Sequence, residues 1–532
     1  MKWVLLFLFL LLLLAIIRFH NKKTKRKDPT KTLEKIAHQS KTTNHKKVIY
    51  LMIDSLIMKT MQQEIAANRL PALRFFTQHA QTVTEIVSSF PTMSVTIDST
   101  LLTGTHPNQH GIFGLNWYRE EEKRVVNYGT GANEAFHEGP NQVLQDALLH
   151  LNQNHLSHQV STIYEELAQR GIPSGSINGM IYRGQTEHTL SFPTWLHLPT
   201  SLKEHLKVKG PDLFAFGTFA NPFPEEEGIP EGILNSLGFA DPYPIAITKK
   251  LIKQKLLPRF LFVYLSDLDK PIHKKGPEDT SGLQKLDKEL ASLLDSFGSW
   301  DKALEEIIWI ISGDSGQTKI LPEDQEPIIP LHSIFRNYKT LPAGKTASSE
   351  TEIVICVNER MAYIYVLQPT LDLTELVSLV VEDSRIDLIA IEDGQWVEVR
   401  RGGTDKFLRF RPGEEWTDIY DQQWELQGDP YVLNLTLNQT KKEITYGDYP
   451  DALSRLAGVF HFHSSPLIVV TAKPGYQFAD RYSPKHLGGG GHGSLHRSDS
   501  LAPLIILGTK RKPQYNRIID LKSFIIDIVD GE

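Results

Sequence analysis

The sequence contains almost no cysteine, since Cys356 is the single one among 532 residues. Intramolecular disulfides and zinc sites built from cysteine are therefore excluded, and any bound metal must be held mainly by histidines and carboxylates. An excess of positive charge is also missing, because the formal net charge is −6. Basic residues crowd positions 18–47, so the remainder is clearly acidic, which argues against nucleic acid as a generic partner. No internal repeat is present, and nothing in the sequence predicts a protein partner.

Long apolar runs are confined to residues 3–17, an uncharged segment followed by a basic cluster at 18–27. The run is short for a spanning helix and has nearly the length of a signal-peptide core. Because no small-x-small cleavage site follows it, we predict that residues 1–19 form an uncleaved single-pass membrane anchor, with a cleaved signal as the alternative. Residues 20–46 are polar and basic, which predicts a tether. The positive-inside rule places the basic flank in the cytoplasm.

Short, continuous apolar runs predict strands that are buried on both faces. They lie at residues 48–53, 260–265, 307–311, 467–470 and 504–507. Helix-like stretches, such as residues 283–297, separate them, and this alternation predicts an α/β fold with a doubly wound, mostly parallel sheet and helices on both faces. Residues 331–460 do not show this alternation, and their shorter strand-like stretches predict a small mixed α+β subdomain. We therefore expect core segments at 47–330 and 461–532, with an insertion at 331–460.

Acidic residues follow three of the predicted strands, and these residues are Asp54, Asp267 with Asp269, and Asp314. In open α/β sheets the carboxyl ends of the strands form the ligand-binding edge. Carboxylates gathered there repel one another unless a cation lies between them. The alternative is that each aspartate only begins a loop or caps a helix, but their joint occurrence favours a site.

Two histidines occur in contexts that favour metal ligation. His273 follows Asp269 by four residues in a strand-to-loop segment, so that carboxylate and imidazole can reach one metal. His492 lies within the glycine-rich stretch of residues 488–493, where the backbone can approach a site closely. A flexible linker is the alternative for that stretch. Three other histidines are treated as structural, and these are His461, His463 and His496.

A candidate nucleophile lies in the segment 88–96. A helix is predicted from about residue 95 to about 102, which puts Ser94 at its N-terminus, where backbone N–H groups and the helix dipole favour an alkoxide and a bound phosphate. The alternative is that Ser94 only caps the helix. Ser89, just before Phe90 and Pro91, is a rival position.

Residues 91–94 and 102–112 resemble the signature of the nucleotide pyrophosphatase/phosphodiesterase family, which belongs to the alkaline phosphatase superfamily. Its pattern is Pro-Thr-x-Thr or Pro-Ser-x-Thr, followed by Thr-Gly-x-x-Pro-x-x-His-Gly-Ile, and alignment without a gap from Thr103 and Gly104 puts the nucleophile on Ser94. Residues 269–277 are similar to the family's second motif, Asp-x-x-x-His-x-x-Gly-Pro. The resemblance spans about residues 47–330 and 465–510. It implies a phosphoric ester hydrolase with an alkaline phosphatase-like fold and a catalytic domain outside the cytoplasm.

The resemblance also implies two divalent metal ions, zinc by expectation. Asp269, His273 and His492 would hold one ion, and Asp54, Ser94 and Asp314 would hold the other. Asn116 resembles the family asparagine that contacts a phosphoryl oxygen.

One position departs from the family pattern, because Ser315 stands where the family has a histidine ligand after the last aspartate. Serine is a poor zinc ligand, so the second site is expected to be weak, to hold Mn or Mg, or to be empty.

The resemblance alone favours phosphodiester substrates. Met93 occupies the position of the arginine in the sulfatase motif, which argues against that branch of the superfamily. A phosphomonoesterase or a phosphoglycerol-type transferase remains an alternative within the superfamily, and a degenerate membrane-tethered binding protein is the alternative from another class. The expected substrate is a phosphate ester, either a small molecule or a lipid or polymer headgroup.

Overall fold

The computed structural model describes residue 36 and residues 45–197, 200–224 and 228–531. The predicted anchor and almost all of the predicted tether lie outside the described residues, so both stay predictions. Within the described part of the chain, no helix is both long and apolar enough to cross a membrane.

A seven-stranded sheet forms the centre of the molecule. Five neighbouring strands run parallel, and one strand on their flank is antiparallel to both of its neighbours. In spatial order the strands are Thr82–Val87, Leu501–Leu507 (the antiparallel one), Ile307–Gly313, Lys47–Ile53, Phe260–Leu265, Ser174–Ile177 and Leu213–Ala215. The predicted mostly parallel sheet is confirmed.

The central strands are apolar throughout because both faces of the sheet are covered. Tyr50 and its equivalents in neighbouring strands pack on one face, in a core that includes the helices Ser94–Thr103 and Leu521–Gly531. Leu51 and its equivalents face the opposite side, where the helix Ser281–Asp295 packs. Alternate side chains of a strand point to opposite faces, so one apolar run serves two cores.

Most helices surround this sheet, whereas Leu373–Val381 packs on the second sheet described below. The longer ones are Met58–Ala66, Pro71–His79, Ser94–Thr103, Asp146–His155 (a π-helix), Pro242–Lys253, Ser281–Asp295, Leu373–Val381 and Leu521–Gly531. Shorter ones are Pro107–His110, Ala132–Glu138, Pro140–Gln145, Ile163–Gln169, Asp269–Lys275, Trp300–Glu306, Leu331–Ile334, Ala452–Ala457 and Arg497–Ser500.

A second, nine-stranded sheet is almost entirely antiparallel. In spatial order its strands are Ile353–Asn358, Met361–Val366, Leu467–Ala472, Ile386–Asp393, Trp396–Arg401, Phe407–Asp418, Glu443–Tyr446 and Leu435–Asn438, with Gln423–Gly428 also paired to Phe407–Asp418. The sequence analysis counted the apolar run at 467–470 among the strands of the parallel core, and this was wrong: Leu467–Ala472 lies inside the second sheet. Its side chains are also covered on both faces, so the run looks like a parallel-sheet strand. The second sheet therefore includes residues on both sides of the predicted boundary at 460.

The two sheets share one apolar core, because side chains from both lie in the same buried cluster. The Tyr363 hydroxyl of the second sheet also donates to the carbonyl of Phe113 at 2.8 Å. Short two-stranded ribbons complete the fold: Asn116–Arg119 with Arg124–Asn127, Thr186–Ser191 with His205–Gly210, Thr318–Lys319 with Gly490–Gly491, and Ile328–Pro330 with Gln477–Ala479. This packing brings the hairpin of strands Ile353–Asn358 and Met361–Val366 in the second sheet to the edge where the central parallel strands end.

Candidate active site

Two of the predicted acidic residues follow adjacent parallel strands at the same level. Ile53 pairs in register with Gly313, so Asp54 and Asp314 begin side by side at the carboxyl edge of the sheet. On the other side Ile53 pairs with Leu265, the last residue of the strand before the third acidic segment. The parallel register thus brings three distant parts of the chain to one edge.

Ser55 connects these three parts. Its backbone N–H donates to Asp314 at 2.8 Å, and its hydroxyl donates to Asp269 at 2.8 Å. The amide of Gln317 donates to the Ser55 hydroxyl at 2.7 Å and to the same Asp269 oxygen at 2.8 Å. Ser55 has a φ of +59°, which turns the chain sharply after Asp54. Sequence reasoning missed Ser55 and Gln317, although both lie within three residues of a predicted ligand.

The carboxylates repel one another in this buried place. Burial, followed by the charges of Asp314 and Asp269, holds the pKa of Asp54 well above its ordinary value, although a 2.6 Å hydrogen bond from the Tyr264 hydroxyl opposes the shift. Burial also raises the pKa of Asp314. Its Oδ2 has no hydrogen-bond partner among the described residues. A cation at this position would relieve the repulsion and use the unpaired oxygen.

Asp269 and His273 lie in the short helix Asp269–Lys275, not in the loop expected from the sequence. The spacing of four residues puts both side chains on one helix face, and Asp269 Oδ1 lies 3.0 Å from His273 Nε2. The Nδ1–H of His273 donates to the carbonyl of Gly490 at 2.9 Å. Such a bond leaves Nε2 as the ligating nitrogen of the neutral ring.

His492 is oriented in the same way, because its Nδ1–H donates to the carbonyl of Thr92. Its Nε2 therefore points toward Asp269 and His273, and one ligand atom from each of these three residues lies within 4.8 Å of the others. The three side chains come from two distant segments and form a histidine–histidine–carboxylate set of the kind that binds zinc. The glycine-rich stretch is thus part of this set.

A glutamate that sequence reasoning missed lies beside the histidines. Glu359 accepts a 3.0 Å hydrogen bond from the backbone of His492, and it forms with His273 and His486 a second group that could hold a metal ion. Burial alone would lower the pKa of His273, but the carboxylates of Glu359 and Asp269 outweigh it and raise the pKa to about 10. No pattern in the sequence pointed to Glu359, because it lies in a turn of the second sheet and meets the histidines only in the folded protein.

Ser94 is the first residue of the helix Ser94–Thr103, close to the predicted start. Met93 occupies the N-cap position and no side chain caps the helix, so the alternative that Ser94 is a cap is wrong. The Ser94 hydroxyl lies beside Asp314 and offsets only part of the rise that burial causes in the pKa of that carboxyl. Ser89 is buried, and its hydroxyl donates to the carbonyl of Pro91 at 3.4 Å.

Asn116 is held near this edge by the second sheet. Its backbone N–H donates to Asn358 at 3.1 Å, and its side-chain amide donates to Glu134 at 2.5 Å. Burial raises the pKa of Glu134 to about 7. The side-chain oxygen of Asn116 has no hydrogen-bond partner among the described residues. The predicted contact with a phosphoryl oxygen stays a prediction.

The remaining candidates have structural partners. Asp267 pairs with Lys285 at 2.6 Å, and His461 pairs with Glu392 at 2.7 Å. His496 contacts the hydroxyl of Ser498 at 2.8 Å at the start of a short helix. The ring of His463 packs against those of Phe113 and Tyr365.

A family model matches residues 48–495, which is most of the chain, and its description is type I phosphodiesterase / nucleotide pyrophosphatase. The chain belongs to this family. The inferred resemblance is confirmed, and the chain is thereby placed among phosphoric ester hydrolases. No curated protein sequence gives a significant match.

Solved structures of similar fold include two hydrolases. One is an inactive variant of murine ectonucleotide pyrophosphatase/phosphodiesterase 5 in complex with AMP, at 12% identity and a TM-score of 0.51, covering 91% of this chain and 95% of that chain. Another is phosphonoacetate hydrolase from Sinorhizobium meliloti in complex with phosphonoformate, at 13% identity and a TM-score of 0.53, covering 91% of this chain and 96% of that chain. At such identities the likeness concerns the fold, which matches the predicted alkaline phosphatase-like architecture.

The family motif at residues 102–112 has a structural role in this chain. His110 is buried, its Nε2 lies 3.2 Å from the Thr100 hydroxyl, and its Nδ1 accepts from the backbone of Ile112 at 3.1 Å. Gly104 ends the helix Ser94–Thr103 with a φ of +67°, a conformation that favours glycine. The motif thus fixes the helix that carries Ser94.

Ser315, where the resemblance predicts a histidine ligand, is fully buried. Its backbone N–H donates to Asp314 Oδ1 at 2.6 Å, while its hydroxyl has no hydrogen-bond partner among the described residues. Together with the unpaired Asp314 oxygen, this hydroxyl leaves an all-oxygen set that fits a cation of the Mg or Mn type.

Proposed function

We propose that the protein is a metal-dependent phosphodiesterase of the nucleotide pyrophosphatase type that acts through a phosphoseryl intermediate at Ser94. The observation that carries this proposal is the orientation of His273 and His492. Each ring donates its Nδ1–H to a backbone carbonyl, so both Nε2 atoms are directed to Asp269. Histidines that ligate a metal through Nε2 commonly donate Nδ1–H to a backbone carbonyl in this way, which fixes the orientation of the ring.

Two sets of residues fit divalent cations. Asp269, His273 and His492 form a set with nitrogen ligands that suits zinc. Asp54, Ser94 and Asp314 offer oxygen only, which suits Mn or Mg as well as zinc. Bound cations would lower the pKa of the serine hydroxyl and neutralise charge on the phosphoryl oxygens.

The protein's own groups then have distinct tasks. Ser94 loses its hydroxyl proton to water and attacks phosphorus from the first turn of its helix. A bond forms between its oxygen and phosphorus, and the ester oxygen leaves with the electron pair of the broken P–O bond and takes a proton from water. The backbone N–H groups and the dipole at the start of that helix favour the negative charge of the bound phosphate. Water then cleaves the phosphoserine and restores the hydroxyl. Asn116 is proposed to donate to a non-bridging oxygen through the second N–H of its amide, because the first is bonded to Glu134.

Assays with two chromogenic esters test this proposal. The full-length protein is stripped of metal and assayed on bis-p-nitrophenyl phosphate and p-nitrophenyl phosphate with Zn, Mn or Mg added. We expect turnover that depends on the metal and is higher for the diester. Ser94→Ala should lower kcat by at least about 10³-fold, the usual consequence of losing a nucleophile, whereas Ser89→Ala should retain activity.

Other outcomes would select other functions. Preference for the monoester would assign a phosphomonoesterase, and wild-type activity of Ser94→Ala would remove this serine from the mechanism. If the protein bound no metal and turned over no ester, a tethered binding protein would be favoured.

A further inference from the structure

A tight turn of the second sheet reaches the histidine group. The strands Ile353–Asn358 and Met361–Val366 pair up to Asn358 and Met361, so that only two residues, Glu359 and Arg360, form the turn. Glu359 has a φ of +55°, a backbone conformation that favours glycine or asparagine and is uncommon for glutamate. A strained residue at such a position is a signal of function when its side chain lies in a site.

The Glu359 carboxylate is placed between the imidazoles. Its Oε2 accepts the 3.0 Å hydrogen bond from the backbone N–H of His492. Its Oε1 lies 3.7 Å from Nε2 of His273 and 4.0 Å from Nε2 of His492. The side chain is largely buried, at 13% exposure.

These separations are too long for hydrogen bonds but suit ligands of one ion. Ligands at about 2.0–2.2 Å from a tetrahedral metal lie roughly 3.3–3.6 Å from one another. The distances from His273 Nε2 to Asp269 Oδ1 and to Glu359 Oε1, 3.0 and 3.7 Å, lie on either side of this range. Small shifts of these side chains on binding would bring the three separations among Asp269, His273, His492 and Glu359, now 3.0, 3.7 and 4.0 Å, into this range.

We propose that Glu359 is a fourth protein ligand of the cation held by Asp269, His273 and His492. This inference rests on the proposed metal dependence and adds a ligand from the second sheet. The set then contains two carboxylates and two imidazoles, which balance the charge of a divalent cation. Because the neighbouring oxygen site has Ser315 in place of a histidine, the two sites differ in strength: one ion is held tightly and the other weakly.

His486 offers a competing arrangement. Its ring stacks on that of His273 with centroids 4.2 Å apart, and its Nε2 lies 3.4 Å from Glu359 Oε1. His273 presents only one ligating nitrogen, so the set with Asp269 and His492 and the set with His486 exclude each other for a single ion. The first set is favoured because Asp269 and His492 are both held at the central sheet edge, and His486 then acts as a positioning residue for Glu359.

Metal titration of the full-length, metal-free protein tests the proposal. Zn²⁺ affinity is measured by competition with a chromogenic chelator, and Co²⁺ is added separately to record its visible absorption, which reports coordination number. Glu359→Gln keeps the size of the side chain and its acceptor for the His492 N–H. It should weaken the tighter Zn²⁺ site by at least about tenfold, as expected for groups that hold or orient a metal, and should change the Co²⁺ spectrum.

Two further glutamate variants make the result specific. Glu359→Asp retains the charge but shortens the side chain, so it should also weaken binding if Glu359 ligates the ion. Glu398→Gln removes a buried glutamate elsewhere in the same sheet and should leave the affinity unchanged. Circular dichroism of each metal-free variant checks that the fold is retained.

Three outcomes would contradict the account in distinguishable ways. Wild-type affinity in Glu359→Gln with an unchanged Co²⁺ spectrum would overturn the proposal while leaving the metal dependence intact. Retained affinity in Asp269→Asn with loss in His486→Ala would assign the ion to the competing set and likewise overturn it. Absence of Zn²⁺ binding by the wild type would refute the proposed function itself.

Discussion

Arg360 provides a test of how the second sheet is fixed to the site. Its guanidinium forms an ion pair with Asp499, and both side chains are fully buried. It also donates to the carbonyl of Ala472 at 2.9 Å and to the hydroxyl of Thr318 at 2.9 Å. The backbone N–H of Arg360 donates to the carbonyl of His492 at 2.9 Å, so this one residue connects the hairpin turn with the glycine-rich stretch.

Arg360→Met is expected to lower the free energy of unfolding because it leaves the buried carboxylate of Asp499 without its charged partner. Methionine retains most of the packing of the side-chain stem, so the main loss is the partner of a buried carboxylate, which typically costs about 3–5 kcal/mol. Asp499 keeps hydrogen bonds from the Thr318 hydroxyl at 2.6 Å and from the backbone of Ser494 at 3.0 Å. These remaining donors place the expected loss in unfolding free energy near the lower end, at about 3 kcal/mol.

Urea unfolding of the metal-free protein, followed by tryptophan fluorescence and circular dichroism, measures this loss. Adding Asp499→Asn to Arg360→Met removes the unpaired charge and should recover at least about 1 kcal/mol. Arg170→Met is the control, because Arg170 is 44% exposed and its ion pair with Asp530 should contribute no more than about 1 kcal/mol. A loss below about 1 kcal/mol in Arg360→Met, or no recovery in the double variant, would refute the reasoning.

Three further predictions concern the site and its support. Burial holds the pKa of the Asp98 carboxyl in the folded protein well above its ordinary value. The contribution of this carboxyl to stability is therefore present below the pKa of the unfolded state and is lost as the pH rises through the pKa of the folded state. Asp98→Asn should unfold at a higher temperature than the wild type at alkaline pH but not at acidic pH. Zn²⁺ at about 100 times its dissociation constant should raise the unfolding free energy by about 2.7 kcal/mol, and chelator or Asp269→Asn should abolish this increment in denaturant titrations. Gly493 has a φ of +116°, and an added Cβ would lie 2.5 Å from the carbonyl of Asn358, so Gly493→Ala should displace His492, lower kcat/KM for the diester and destabilise the protein by at least about 1 kcal/mol.

The sequence predicted the part of the site that depends on parallel strands. Asp54 and Asp314 were found because each directly follows an apolar run, and the carboxyl ends of parallel strands must meet at one edge. Ser94 was predicted as the nucleophile because the start of the helix and the family motif agree, and its role stays a prediction. The hydrophobic pattern specifies these features locally, so that no long-range information is needed.

The rest of the site depends on contacts between distant segments. Glu359 comes from the second sheet and meets His273 and His492 only after that sheet has packed on the core, which no local pattern reveals. Ser55 has its role because of a left-handed backbone turn, whereas serine is common after any strand. The strand Leu467–Ala472 was assigned to the wrong sheet because burial on both faces produces the same apolar run in either kind of sheet.

The central claim is that Ser94 carries the phosphoryl group during turnover. Rapid acid quench of the metal-loaded protein with a phosphodiester substrate, followed by peptide mass spectrometry, tests it most directly. A phosphate on Ser94 that is absent from Ser94→Ala and from the metal-free protein is the predicted result. Phosphate on Ser89, or steady diester turnover by Ser94→Ala, would contradict the account.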